Sequence, residues 1–314
     1  MFILLFRGYN PLSASTRTTF LHLFNLPYAE FYSIIRRKKR HYECHSGGGA
    51  TVTLCITFAN HKGGVAKTAS TVIAAQVLAK TGKRVLVIDC DSQGNASEAL
   101  CPKGSSPIEL PSIDLCLADP EKTPYCAVQS WCDNVLLIPA SISMERPFPT
   151  AVSDVEKLPV IYRIPLDAIQ RIRTKIESLD AVDVILIDTP PSLGLTTQAA
   201  LHAADMIVLP CTPAKHAIFG LPDVVSVAAT VSQAPHKVLI TLADNRTRAD
   251  GLGRKHLLAK FDVIGELPKV SRIAENIASR RYPLGRIDAE RIEEVETLFM
   301  LIYDTAIALK KKGR

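Results

Sequence analysis

No apolar run in this 314-residue sequence reaches the roughly 18 residues that a membrane-spanning helix needs. None of the eight cysteines, at positions 44, 55, 90, 101, 116, 126, 132 and 211, belongs to a C-x-x-C pair. That disfavours a disulfide framework or a zinc site and reads as reduced thiols in a cytosol. The sequence holds no internal repeat, no low-complexity segment and no helix-turn-helix pattern. What is present is 47% apolar and 22% charged residues, a balance that suits a globular α/β protein and argues against disorder. The length allows one large domain or two small ones.

The net charge of +6 is unevenly placed. Residues 1–50 carry seven Lys/Arg against Glu30 and Glu43, which leaves about +1 for the other 264. Within those, residues 236–286 hold eleven Lys/Arg and five Asp/Glu. A basic region on a near-neutral body points to a local anionic partner.

The first fifty residues differ from the rest. They contain scattered Phe, a basic run Arg36-Arg37-Lys38-Lys39-Arg40 and then Ser46-Gly47-Gly48-Gly49, with no sustained period. Three readings fit: a transit peptide, since the stretch to Tyr28 is acid-free; a nucleic-acid arm; or translation that begins near Val52. The favoured expectation is the last, a residue 1–50 extension that is disordered or untranslated, ahead of one domain over 51–314.

From residue 51 the pattern becomes orderly. Thr51–Ala59 is a β-rich run, followed by a Gly-rich turn and a helix expected over Thr68–Thr81. Arg84–Ile88, Asn134–Pro139, Val182–Ile187, Asp205–Pro210 and Lys237–Leu242 are short Val/Ile/Leu runs separated by helical stretches. Continuous apolar strands imply burial on both faces, hence a mostly parallel twisted sheet covered by helices on both sides. Loops around one short helix are expected between Pro102 and Cys132. Asp288–Lys312 reads as a helix with an acidic start and a basic finish, which suits its dipole.

Strand, Gly-rich turn and Lys-Thr opening a helix is an arrangement that cradles phosphates, through successive N–H groups and the positive helix end. In Lys62-Gly63-Gly64-Val65-Ala66-Lys67-Thr68, Lys67 would reach the β/γ-phosphates and Thr68 would ligate Mg²⁺. The strict spacing G-x-x-x-x-G-K-[ST] fails twice, because His61 and Ala66 occupy the glycine positions. The pattern that does fit is K-G-G-x-x-K-[ST], with Lys62 as an additional lysine. Asp188 ends an apolar strand, where a carboxylate can hold Mg²⁺ through its water shell. Asp89 and Asp91 lie two apart on an extended segment at another strand's C-terminal end, where α/β sheets place ligands.

Ala59 to Thr68 resembles the deviant Walker A loop of ParA/MinD ATPases, closest to the ParA (Soj-like) partition branch. Val87 to Ser97 is similar to that family's D-x-D-P-Q-G-N stretch, and Ile185 to Gly194 to its Walker B segment. The resemblance runs from about Thr53 to the C-terminus. It implies a P-loop NTPase fold, slow Mg²⁺-dependent hydrolysis of ATP, and an ATP-sandwich homodimer in which Lys62 crosses to the partner's phosphates. Under it, Lys62, Gly63, Gly64, Val65, Ala66, Lys67, Thr68 and Ala69 bind nucleotide. Asp91 orients the attacking water, while Asp188 and Asp89 join Thr68 around the metal, Asp89 in a more structural role. Pro268 is the implied base contact, near Asn245-Arg246-Thr247.

Three departures stand out. Ala66 replaces the usual glycine and is tolerable only if its φ is negative. Ala69 lacks a hydroxyl for the α-phosphate, and Ser92 replaces a proline. Lys269, Arg272, Arg280, Arg281 and Arg286 form the basic cluster that, by resemblance, binds DNA without sequence preference, with a ParB-like protein as stimulating partner and the cytoplasmic nucleoid as location. The rival is a MinD-like membrane-positioning ATPase, but Glu290, Glu293, Glu294 and Glu296 make the last helix ill suited to an anionic bilayer. An iron–sulfur reductase relative is a third class, and no cysteine stands at the positions it requires.

Overall fold

The computed structural model describes residues 53–141, 165–243, 248–269 and 271–312. The expected extension over 1–50 lies outside the described residues. Residues 51–314 cluster as one unit around an eight-stranded sheet.

The strands are β1 (Leu54–Phe58), β2 (Val85–Asp89), β3 (Val128–Gln129), β4 (Val135–Ile138), β5 (Val184–Asp188), β6 (Met206–Cys211), β7 (His236–Ala243) and β8 (Val263–Pro268). Their spatial order is β3-β4-β2-β5-β1-β6-β7-β8. Every neighbouring pair is parallel except β3 with β4. The sequence pattern did not show β3, a two-residue edge strand too short to carry a periodic signal.

The helices are α1 (Lys67–Lys80), α2 (Asn95–Leu100), α3 (Ile113–Ala118), α4 (Thr123–Cys126), α5 (Ala168–Ser178), α6 (Leu195–His202), α7 (Lys215–Ile218), α8 (Leu221–Val231), α9 (Arg248–Lys260), α10 (Ser271–Ala278) and α11 (Ala289–Lys312). They cover both faces. Along β6, Met206 and Val208 join the core beneath α1 and α11, while Ile207, Leu209 and Cys211 join the core beneath α8 and α9. Strands buried on both sides account for their unbroken apolar runs. Between Pro102 and Cys132 the expected single helix is two, α3 and α4, with 3-10 turns at Pro107–Glu109 and Pro120–Lys122. Proline at the start of each of those turns, where no N–H is needed, fixes these short pieces.

Helix α11 closes the domain. Val295, Leu298, Phe299, Ile302, Tyr303 and Ala306 are buried on its inner face. At its end, Lys310 Nζ donates to the Thr53 carbonyl and to Asp205, both at 2.7 Å. Among the described residues no helix is long and apolar enough to cross a membrane.

Candidate functional site: a phosphate loop facing buried carboxylates

The parallel register brings the expected site residues to one edge. Phe58, the last residue of β1, lies beside Asp188, the last of β5, which in turn lies beside Asp89, the last of β2. The loop from Ala59 to Ala66 therefore leaves the sheet next to both carboxylates. α1 runs back beneath the sheet with eleven of its residues buried, including Lys67.

Two side chains brace the loop. Asn60 donates to the Pro210 carbonyl at 2.8 Å and accepts from the Lys62 N–H at 3.0 Å. Thr241 on β7 donates to the Val65 carbonyl at 3.0 Å, and the Val65 side chain is buried. Gly63 and Gly64 are exposed, and a Cβ at either would meet nothing within 4 Å. Gly64 has φ +72°, the left-handed region that favours glycine. The first N–H groups of α1, which have no intrahelical partners, stand at the end of this loop. An exposed turn of this kind can receive an anion of several oxygens.

One expectation is overturned here. Ala66 has φ +62° and ψ +31°, left-handed, not negative. The chain must reverse between the loop and α1, and Ala66 caps the helix with its carbonyl accepting from Ser70 N–H at 2.9 Å. Alanine there carries a steric cost of about 1–2 kcal/mol.

Lys67 is 7% exposed, and its Nζ donates to the Lys62 carbonyl at 3.0 Å, closing the loop. Burial lowers its pKa, opposed by the charges of Asp188 and Asp91. Asp188 is fully buried. Its Oδ1 accepts from Thr71 at 3.4 Å, and its Oδ2 has no partner. Burial pushes its pKa well above the ordinary carboxylate value, Asp89 adds to the rise, and Thr68 and Lys67 oppose it. Asp89 is the best-satisfied carboxylate. It accepts from the Ser97 N–H and hydroxyl, both at 2.7 Å, and from the Asp91 N–H at 3.0 Å. Burial still raises it to about 6. Asp91 is 6% exposed and accepts from the Gln93 N–H at 3.1 Å, an Asx-type turn that leads into α2.

The sequence did not single out Asn60, Thr71 or Ser97. Thr71 was legible in principle, since it lies four residues after Lys67 and shares its helix face.

Mg²⁺ fits this arrangement. The orphaned Oδ2 of Asp188 is a buried acceptor, and the Thr68 hydroxyl stands beside the same carboxylate. Among the described residues no cluster of three His, Cys, Asp or Glu could hold a metal. A metal here would take its remaining ligands from phosphates and water, as Mg²⁺ does.

The remaining expected residues are more dispersed. Pro268 ends β8 beside Ala243, while Asn245, Arg246, Thr247 and Val270 lie outside the described residues. Lys269 and Arg281 are exposed, and Arg272 pairs with Glu275 at 3.2 Å. Arg280 is engaged within the protein: it donates to the Ser105 carbonyl at 3.0 Å and pairs with Glu98 on α2.

A mostly parallel sheet with this loop after β1 and a buried aspartate ending β5 defines the P-loop nucleoside triphosphatase class, in its two-lysine form. Comparison with known proteins narrows the class. The model of a family described as "AAA domain" matches residues 53–241. The sporulation initiation inhibitor protein Soj of Bacillus subtilis is 34% identical over 206 residues, covering 61% of this chain and 74% of Soj. The chromosome partitioning protein ParA of Myxococcus xanthus is 32% identical over 206 residues, covering 63% and 68% respectively. A crystal structure of a plasmid partition protein from Borrelia burgdorferi bound to AMPPNP superimposes with a TM-score of 0.64 at 22% identity, over 81% of this chain and all of that one. The chain belongs to this AAA-domain family and, within it, to the ParA-type ATPases.

Proposed function

We propose that the protein hydrolyses ATP slowly, that ATP and Mg²⁺ close two copies into a sandwich, and that the closed dimer binds DNA without sequence preference. The cycle would partition chromosome or plasmid DNA on the cytoplasmic nucleoid, with a ParB-like protein stimulating hydrolysis. The observation that carries this reading is the division of labour between two lysines in one loop. Lys67 is buried and faces Asp188 and Asp91, so it serves its own nucleotide. Lys62 is only partly buried and is not needed to close the loop, which uses its carbonyl alone.

Gly63 to Ala69 cradle the phosphates, and Lys67 neutralises them. Thr68 and Asp188 hold Mg²⁺, which when bound offsets negative charge on the transferring phosphoryl group. Asp89 fixes the Asp91 turn through its N–H bond, and Asp91 orients the attacking water. Lys62 reaches the partner's phosphates, a cation supplied in trans that can be worth about 10³–10⁵ in rate. Lys269, Arg272 and Arg281 supply cations to DNA phosphates. Arg280 can join them only by leaving Glu98.

A MinD-like membrane role is the second reading, and α11 argues against it: its apolar face is spent on the core. DNA-shift and liposome-flotation assays, each with and without ATP, separate the two. The expected result is ATP-dependent DNA binding with a salt slope that falls in the Arg272→Ala, Arg281→Ala double variant, and no flotation. ATP-dependent flotation without DNA binding would overturn the proposal.

A further inference from the structure

His61 stands where the strict phosphate loop has glycine, and nothing above assigns it a part. Its ring lies against Gly220, the residue just before α8. A Cβ built on Gly220 would fall 2.5 Å from His61 Cε1, 3.0 Å from His61 Nε2 and 2.9 Å from Lys62 Cε. The backbone at Gly220 has φ −85° and ψ −15°, open to any residue. Space, not conformation, therefore demands glycine there. The same contact places the stem of Lys62 along the turn between α7 and α8, with the imidazole beside it. His61 is itself only 18% exposed, and its Nε2 lies 4.0 Å from Asp223 in the first turn of α8.

We infer that Gly220 and His61 form a seat that aims the Lys62 side chain, and so act as positioning residues for whatever Lys62 does. Lys62 is long and flexible, and holding it to one direction costs side-chain entropy unless a surface confines it. The bare face of Gly220 and the flat imidazole supply that surface. Lys67 meets Lys62 only at its backbone carbonyl, and the Asp188 bond to Thr71 involves neither the Lys62 side chain, His61 nor Gly220. The seat should therefore govern Lys62 without governing nucleotide affinity. This rests on the reading of Lys62 as the lysine that acts across the dimer.

Gly220→Ala tests it cleanly. The added methyl meets side-chain tips, not backbone, so the protein can fold by re-aiming His61 and Lys62. ATP hydrolysis, nucleotide affinity and thermal unfolding would be measured for wild type, Gly220→Ala, Lys62→Ala and the double variant. We expect Gly220→Ala to keep its ATP dissociation constant within twofold and its melting temperature within a few degrees. Its kcat should fall at least tenfold toward that of Lys62→Ala, and in the Lys62→Ala background the methyl should cost nothing further. Normal kcat in Gly220→Ala while Lys62→Ala is impaired overturns the seat alone. An additive loss in the double variant also overturns it, because the methyl then acts elsewhere. Normal kcat in Lys62→Ala overturns the trans-lysine reading on which the seat depends.

Discussion

The two ends of this sheet handle buried charge in opposite ways. At the N-terminal end, Asp205 accepts from Arg173 at 2.9 Å, from Lys310 at 2.7 Å and from the Cys55 N–H at 2.8 Å. Arg173 also donates to the Ala203 carbonyl and pairs with Glu177. Arg84 is held in the same manner by Asp183 and Asp180. At the C-terminal end, Asp188 and Asp91 face Lys67, Asp89 lies beside Asp188, and one Asp188 oxygen has no partner. Where charges serve the fold, opposite signs match. Where they serve chemistry, negative charge is in excess and the arrangement is completed by a cation.

That contrast can be broken by mutation, and the largest effect is expected at the matched end. Asp205→Ala leaves the buried Arg173 with Glu177 alone and the half-buried Lys310 with the Thr53 carbonyl alone, and should cost about 3 kcal/mol in denaturant unfolding. Asp188→Asn should behave oppositely. Its raised folded-state pKa means the ionised form costs stability as pH climbs above the ordinary carboxylate value. Removing the charge should leave the nucleotide-free protein as stable at pH 7, or more so by about 1 kcal/mol, while Mg²⁺-dependent turnover is lost. Equal destabilisation by both variants would erase the distinction between the ends.

Next in size is the response to ligand. Mg²⁺ with ATP at a hundred times its dissociation constant should stabilise the protein by about 2.7 kcal/mol. Lys67→Ala should abolish that gain in a thermal-shift titration. A smaller effect sharpens the account of the loop. Ala66→Gly should stabilise the protein by about 1 kcal/mol, because glycine adopts the observed φ of +62° without the steric cost. No gain, or a loss, in unfolding free energy would mean that the strain is absent.

Much of the frame was legible beforehand because strands buried on both faces write themselves as unbroken Val/Ile/Leu runs, as in Val184–Asp188. The loop was legible because phosphate chemistry confines lysine, glycine and hydroxyl to a fixed spacing. What escaped depends on contacts between distant residues. Ser97 satisfies Asp89, Asn60 ties the loop to β6, and Gly220 lies against His61 and Lys62. No local pattern announces such pairings. The handedness of Ala66 escaped for a related reason: side-chain identity argued for negative φ, and the reversal into α1 decided otherwise. Arg280 read as one of several surface cations, yet its partner Glu98 lies 182 residues away in sequence.

The ATP-gated dimer is the centre of the account, and molecular mass in solution tests it most directly. Light scattering would be recorded for Asp91→Ala with Mg²⁺-ATP and with Mg²⁺-ADP, beside the Asp91→Ala, Lys62→Ala double variant with Mg²⁺-ATP. Twice the 34.3 kDa chain mass is expected in the first sample and the single-chain mass in the other two. A single-chain mass in all three, at nucleotide concentrations that saturate the site, would contradict it.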